Sequence, residues 1–234
     1  MIYLHLIVEG ETERRFGTDV LEPYMGVRSD YQYCIDVSLI TTSRDRSRGR
    51  VYKGGLGSYE KVKKEIGNRI KQYSGGEHFF TTMLDLYALP NDFPGYSDAQ
   101  RINDPYQKVE RLEISLAEDI GDHRFIPYIQ LHEFEAMIFV DPSKLSLEYP
   151  NSENKIELLK NVLNENSVRN NPELINESEA TAPSKRIIQY FPFYDSSKPI
   201  VGVNTVARIG IDAIRSQCPH FNEWLKKLEN LQTN

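Results

Sequence analysis

The sequence predicts an α/β protein: a mainly parallel, four-stranded sheet flanked by helices, followed by a helical C-terminal part. Three observations carry this. Short apolar runs recur at 2–8, 33–40, 78–84 and 124–131. Segments of helical period lie between them, and strands alternating with helices favour parallel pairing and right-handed crossovers. Beyond Asp141 the strand signals stop and polar, helical patterning takes over.

Taken in order, Ile2–Val8 is short and apolar, as a buried strand requires. Thr12 is placed to cap a helix running to about Tyr24, with Phe16, Val20 and Leu21 at helical spacing. "YCIDVSLI" alternates as a second strand, and "TTSRDRSRGRVYKGGLGS" is a long polar loop. Ser58 opens a helix to about Tyr73 with Val62, Ile66 and Ile70 on one face and lysines on the other. "HFFTTML" is the third strand, followed at once by Asp85, and "ALPNDFPGYSDAQRINDP" is a loop of functional length. An amphipathic helix from Tyr106 to about Ile120 leads to the fourth strand, "RFIPYIQL", and "HEFEAMIF" then begins a helix or a short turn. Further helices are expected at Lys155–Leu163, Thr205–Gln217 and His220–Leu231. The break near Asp141–Pro150 divides the chain into an α/β domain, 1–140, and a helical extension, 141–234, packed on it.

Composition excludes several classes. At 39% apolar and 26% charged residues, the chain is an ordinary globular protein. No apolar run approaches the roughly 20 residues that span a bilayer. The first apolar run meets acid at Glu9 and lacks a basic flank, so neither a signal peptide nor membrane association is expected. Cys34 and Cys218 form no CxxC pair, which fits a reducing, cytoplasmic setting. The net charge of -6 hides ten basic residues against three acidic ones between Thr41 and Lys71. One dense basic segment on an acidic chain suggests a local anion site, or a solvated loop and helix face.

The acids are the chemical signal. Glu9 follows the first strand, Asp85 the third, and Glu133 and Glu135 the fourth, while Glu13 lies one helical turn beyond Glu9. Ligands of open α/β sheets sit at the carboxyl ends of strands. Carboxylates gathered there repel unless a hard cation lies among them, and Mg²⁺ or Mn²⁺ takes such oxygen donors. Glu13 is equally suited to the first turn of a helix, where the macrodipole favours an acid. His132 reads as a hydrogen-bonded structural histidine. "HEFE" is not HExxH, and no GxxxxGK is present, so neither a zinc protease nor a P-loop is indicated. "GGLGS" before a helix is a weak phosphate-cradle signal.

With "IVEGETE" and a strand ending "MLDLY", the chain resembles the Toprim superfamily of topoisomerases, primases and overcoming-lysogenization-defect nucleases. "VEGETE", "LDLYALPNDFPG", "LHEFEAMIFVDP", "TAPSKRI" and "CPHFNEWL" together are similar to the bacterial domain-of-unknown-function family 4276. The superfamily resemblance implies that Glu9 acts as general acid or base or metal ligand. It also implies that Asp85 is the first metal-binding aspartate and Glu13 the extra acid of the nuclease branch. Tyr87 stands where the second aspartate would be, and Glu133 or Glu135 would supply the missing charge. The expected activity is a Mg²⁺-dependent nucleic-acid phosphodiesterase with Glu9 and Asp85 at its centre. It would serve as an antiviral-defence effector beside a separate SMC/ABC-type ATPase, and a homo-oligomer is compatible with this. Arg44, Arg46, Arg48, Arg50, Lys53, Lys185 and Arg186 form the expected nucleic-acid-binding set. The alternative is a non-catalytic adaptor that binds a nucleotide or a partner ATPase.

Overall fold

The computed structural model describes residues 1–28, 32–40, 56–165, 168–175 and 181–232. Three seven- or eight-residue strands, β1 (Ile2–Val8), β2 (Tyr33–Leu39) and β3 (His78–Asp85), pair in parallel, with β1 in the middle. The expected fourth strand is split into β4 (Phe125–Ile126) and β5 (Ile129–Gln130), both parallel to β3. Pro127 breaks it, because proline cannot donate to the ladder. Threonines of β3 make good the loss: Thr81 Oγ1 donates to the Ile126 carbonyl at 2.6 Å, and Thr82 Oγ1 lies 3.0 Å from both the amide and the carbonyl of Tyr128. The observed class is thus the expected one, a mainly parallel sheet flanked by helices.

Each face of the sheet carries a helical layer. Between β1 and β2 lie α1 (Glu11–Phe16), a π-turn at Gly17–Leu21, and α2 (Glu22–Arg28). A Cβ on Gly17 would come within 2.8 Å of Leu6 and Val37, so only glycine lets this segment lie so close to the sheet. On the opposite face, α3 (Tyr59–Gln72) and α5 (Pro105–Ile120) bury Val62, Ile66, Val109, Leu112 and Leu116 against Ile7, Phe80 and Leu84. A short helix, α4 (Tyr96–Ala99), interrupts the long loop before α5.

The C-terminal part comprises α6 (Glu153–Lys160), α7 (Pro183–Tyr190), α8 (Tyr194–Ile209), α9 (Ile211–Gln217) and α10 (Pro219–Glu229). Its apolar residues share one core with the first face of the sheet: Ile2, Leu4, Leu6 and Val8 belong with Val206, Ile214, Phe221 and Trp224. Trp224 stacks on Tyr128 and donates from Nε1 to Thr81 Oγ1 at 2.9 Å. The N-terminus of α10 is capped from a distance. Fully buried Glu173 accepts from the amides of His220 at 3.0 Å and Phe221 at 2.9 Å.

Several local expectations are corrected. Gly10, not Thr12, caps α1, and Asp92 rather than Ser58 receives the first amide of α3. Asp85 is the last residue of its strand rather than the first beyond it. The helix expected from Thr205 begins at Tyr194 and breaks at Gly210, and α7 has no counterpart in the sequence expectations. Among the described residues no helix is long and apolar enough to cross a membrane.

Candidate functional site

The strand order β2-β1-β3-β4 means that the chain leaves β1 toward one side and later resumes on the other. That reversal is the place where open α/β sheets form a ligand crevice. Val8 is level with Leu39 and Met83, and Asp85 is level with Gln130. One step further, the register sets Glu9 level with Leu84, one residue short of Asp85, and the charge of Glu9 is felt at Asp85. Glu133 and Glu135 follow β5 at the same edge, around a 3-10 segment, Phe134–Val140.

Four of the acids, Glu13, Asp85, Glu133 and Glu135, are positioned by a backbone or side-chain donor. Glu13 folds back over the start of its own helix, and its Oε2 accepts from the Gly10 amide at 3.0 Å. A Cβ on Gly10 would sit 3.0 Å from that oxygen, so a larger residue would push the carboxylate away. Asp85 Oδ1 accepts from the Phe134 amide at 3.1 Å, at the head of the 3-10 segment. Glu133 Oε2 accepts from the Ser184 amide at 2.9 Å, in the first turn of α7. Glu135 is buried and lies 3.5 Å from the ammonium of Lys198 and from the Tyr194 hydroxyl. Three helix starts thus aim their positive ends at the acidic edge.

The carboxylates are close enough to alter one another's proton affinity. Burial, then the charges of Glu135 and Glu9, pushes Glu13 up to about 7. Asp85 retains some solvent contact as a residue, yet its carboxyl is deeply enclosed. Burial first, then Glu13, Glu9, Glu135 and Glu133, raises it well above the ordinary aspartate range. Burial also raises Glu135, opposed by Lys198. Burial pulls Lys198 down, but Glu135, Glu133 and Asp195 outweigh it and the net direction is up. Strongly shifted acids grouped at a strand-end crevice are the arrangement expected of a functional site.

The five acids form a hard, all-oxygen donor set of the kind Mg²⁺ or Mn²⁺ accepts. As the side chains stand, no group of three acids, histidines or cysteines among the described residues is close enough to hold one ion. Glu13, Asp85 and Glu133 are each turned toward a backbone amide.

The remaining expected residues divide. Arg44, Arg46, Arg48, Arg50 and Lys53 lie outside the described residues. Lys185 is exposed in the first turn of α7, one residue from the Ser184 amide that holds Glu133. Arg186 is engaged elsewhere, with both terminal nitrogens on Glu165 at 2.7 and 2.9 Å and Nε on the Thr181 carbonyl. Tyr87 points away from a ligand role among the acids: it is 41% exposed and stacks on His132 at 5.4 Å between ring centroids. His132 is buried, with burial first and then Lys108 pushing it down to about 4, so it is neutral near pH 7. Lys198, Tyr194 and the Ser184 amide are site components that the sequence expectations missed; the acids were signalled by strand ends, whereas these lie on helices with no such marker.

A family model described as Domain of unknown function (DUF4276) matches residues 8–229. The chain belongs to this family. The match begins in the strand that carries Glu9 and ends within α10, so it takes in both the sheet and the helices that complete the acidic edge. No curated protein and no solved structure matches the chain.

Proposed function

We propose that this family member is a Toprim-type, Mg²⁺- or Mn²⁺-dependent phosphodiesterase acting on nucleic acid, an effector that works with a separate ATPase in bacterial defence. The observation that carries the reading is the convergence of Glu9, Glu13, Asp85, Glu133 and Glu135 at the β1/β3 reversal point, where Asp85 is raised by burial first and then by the charges of the other four. Divalent cations bound there would activate water and neutralise the leaving oxygen of a phosphodiester. Glu9 and Asp85 are the central ligands in this reading, with Glu13 and Glu133 or Glu135 completing the set. The amides of Gly10, Phe134 and Ser184 hold three of the carboxylates in place, and Lys198 limits the charge they accumulate. The basic segment at 44–53 and Lys185 would offset the repulsion between this edge and a phosphate backbone.

A non-catalytic adaptor is the second reading. It is favoured by Tyr87 at the place of a second Toprim aspartate, and by carboxylates turned toward amides. One experiment separates the two. Glu9→Gln preserves size and hydrogen bonding and removes the charge. In the phosphodiesterase it is expected to leave the protein folded and to abolish Mn²⁺-dependent cleavage of single-stranded DNA or RNA, assayed with and without the ATPase partner. Cleavage by Glu9→Gln at the wild-type rate would sink the mechanism, and unchanged partner binding without metal would favour the adaptor.

A further inference from the structure

Beside the acidic edge, on the α5 side of the sheet, lies a cleft of about 580 Å³, a size suited to a small organic ligand. Its lining has a composition opposite to that of the edge. Tyr87, Gln100, Asn103, Lys108, His132 and Arg169 contribute to it, and among the described residues none of its lining is acidic. Yet Tyr87 stands two residues after Asp85, and His132 immediately precedes Glu133. Among the described residues neither Lys108 nor Arg169 has a carboxylate partner, whereas Arg186 and Lys198 do. Two uncompensated cations therefore face a cavity adjoining five acids.

The cleft also concentrates backbone strain. Four non-glycine residues among those described have positive φ, and two of them, His132 at 67° and Arg169 at 51°, line this cleft. Such conformations persist where the fold over-determines them, commonly at ligand sites. At His132 the conformation accompanies a ring stacked on Tyr87, whose side chain is 41% exposed and so retains surface for another ring. Flat aromatic surface, amide side chains able to pair with a base edge, and free cations suit one ligand class in particular: a base joined to a phosphate.

We propose that the cleft receives one unpaired nucleotide of a nucleic-acid strand, its base laid on Tyr87 and a flanking phosphate beside Lys108 and Arg169. This deepens the phosphodiesterase reading and rests on it, since a strand so anchored runs past Asp85 and Glu9. The substrate is accordingly single-stranded or locally unpaired, because an intact duplex keeps its bases stacked inside and offers none to the cleft.

The test is binding in EDTA, where cleavage plays no part, measured by fluorescence anisotropy on a labelled oligothymidylate of about 12 nucleotides. The strand is expected to bind at least about tenfold tighter than a blunt duplex of the same length. Tyr87→Ala should weaken strand binding about tenfold and Tyr87→Phe by no more than about twofold, because the ring, not the hydroxyl, stacks. Lys108→Ala with Arg169→Ala should weaken binding and reduce the logarithmic salt slope by about 0.7, the value for one phosphate of a single strand. Circular dichroism confirms that the variants fold. Absence of strand binding, equal binding of duplex, or unchanged affinity in Tyr87→Ala would each overturn the proposal. Thymidine monophosphate displacing the strand at equal concentration would assign the cleft to a free nucleotide and overturn the strand assignment. None of these outcomes touches Glu9, so failure here and failure of the metal-dependent chemistry are read separately.

Discussion

Glu13→Gln in the metal-free protein is expected to raise stability at pH 8 and leave it nearly unchanged below about pH 4.5. The folded protein holds the Glu13 proton up to about pH 7, against 4.5 for the unperturbed group. At about 1.4 kcal/mol for each tenfold change in proton affinity, ionised Glu13 costs the fold on the order of 3 kcal/mol at pH 8. The sign follows from proton counting. Between the two values the folded chain binds more protons than the unfolded chain, so wild-type stability is full below about 4.5 and declines as pH rises through about 7. Glutamine cannot titrate, and its amide oxygen can still accept from the Gly10 amide 3.0 Å away. Allowing for relaxation among the neighbouring acids, the expected gain at pH 8 is about 1–3 kcal/mol, or several degrees in Tm for a domain of this size. Urea denaturation in EDTA at pH 5 and pH 8 measures it. Millimolar Mn²⁺ should then stabilise the wild type at pH 8 and the variant less. A variant destabilised at pH 8, or displaced equally at both pH values, would refute the argument that repulsion at this edge opposes folding.

Two further outcomes are expected. Glu173→Ala should cost about 2–3 kcal/mol in urea denaturation, because it strips the cap from α10 and leaves the buried amide of Phe221 and the half-buried amide of His220 unmatched. Replacing Arg44, Arg46, Arg48 and Arg50 together by alanine should weaken nucleic-acid binding similarly across sequences and reduce its logarithmic salt slope by about 3, read from titrations at several salt concentrations.

The sheet was legible because its strands are short apolar runs, and because Glu9 and Asp85 are acids set directly at the ends of such runs. The parallel register then converts sequence position into proximity, which is why carboxylates up to 126 residues apart (Glu9 and Glu135) could be grouped from the sequence alone. The segment from 183 to 209 was not legible. Pro199 and Gly202 lie inside α8, and each weakens a helix by local propensity. Packing overrides propensity there: Val201, Val203 and Val206 are buried, and a Cβ on Gly202 would meet the Tyr194 hydroxyl at 2.7 Å. The fourth strand was expected as one run, 124–131, across Pro127, and the repair of the split by the Thr81 and Thr82 hydroxyls depends on a neighbouring strand and has no local signature.

Because the helix carrying Lys198 was missed, so was the fact that the C-terminal half completes the site. Lys198 reaches Glu135 at 3.5 Å with about a quarter of its side chain still exposed (28%), while Glu135 is buried at 6%. A cation in that position offsets part of the repulsion among the acids and competes with any metal for the same field. Lys198→Met keeps the aliphatic length and removes the charge. With solvent screening at the lysine end, the metal-free variant is expected to lose about 1–2 kcal/mol, less than the roughly 3–5 typical of breaking a fully buried pair. The same change should enlarge stabilisation by Mn²⁺, because a divalent ion then meets a more negative edge. The two effects have opposite signs and are read in one pair of thermal melts, with EDTA and with Mn²⁺. A simple packing defect would lower both melts equally, and that result would remove Lys198 from the electrostatics of the site.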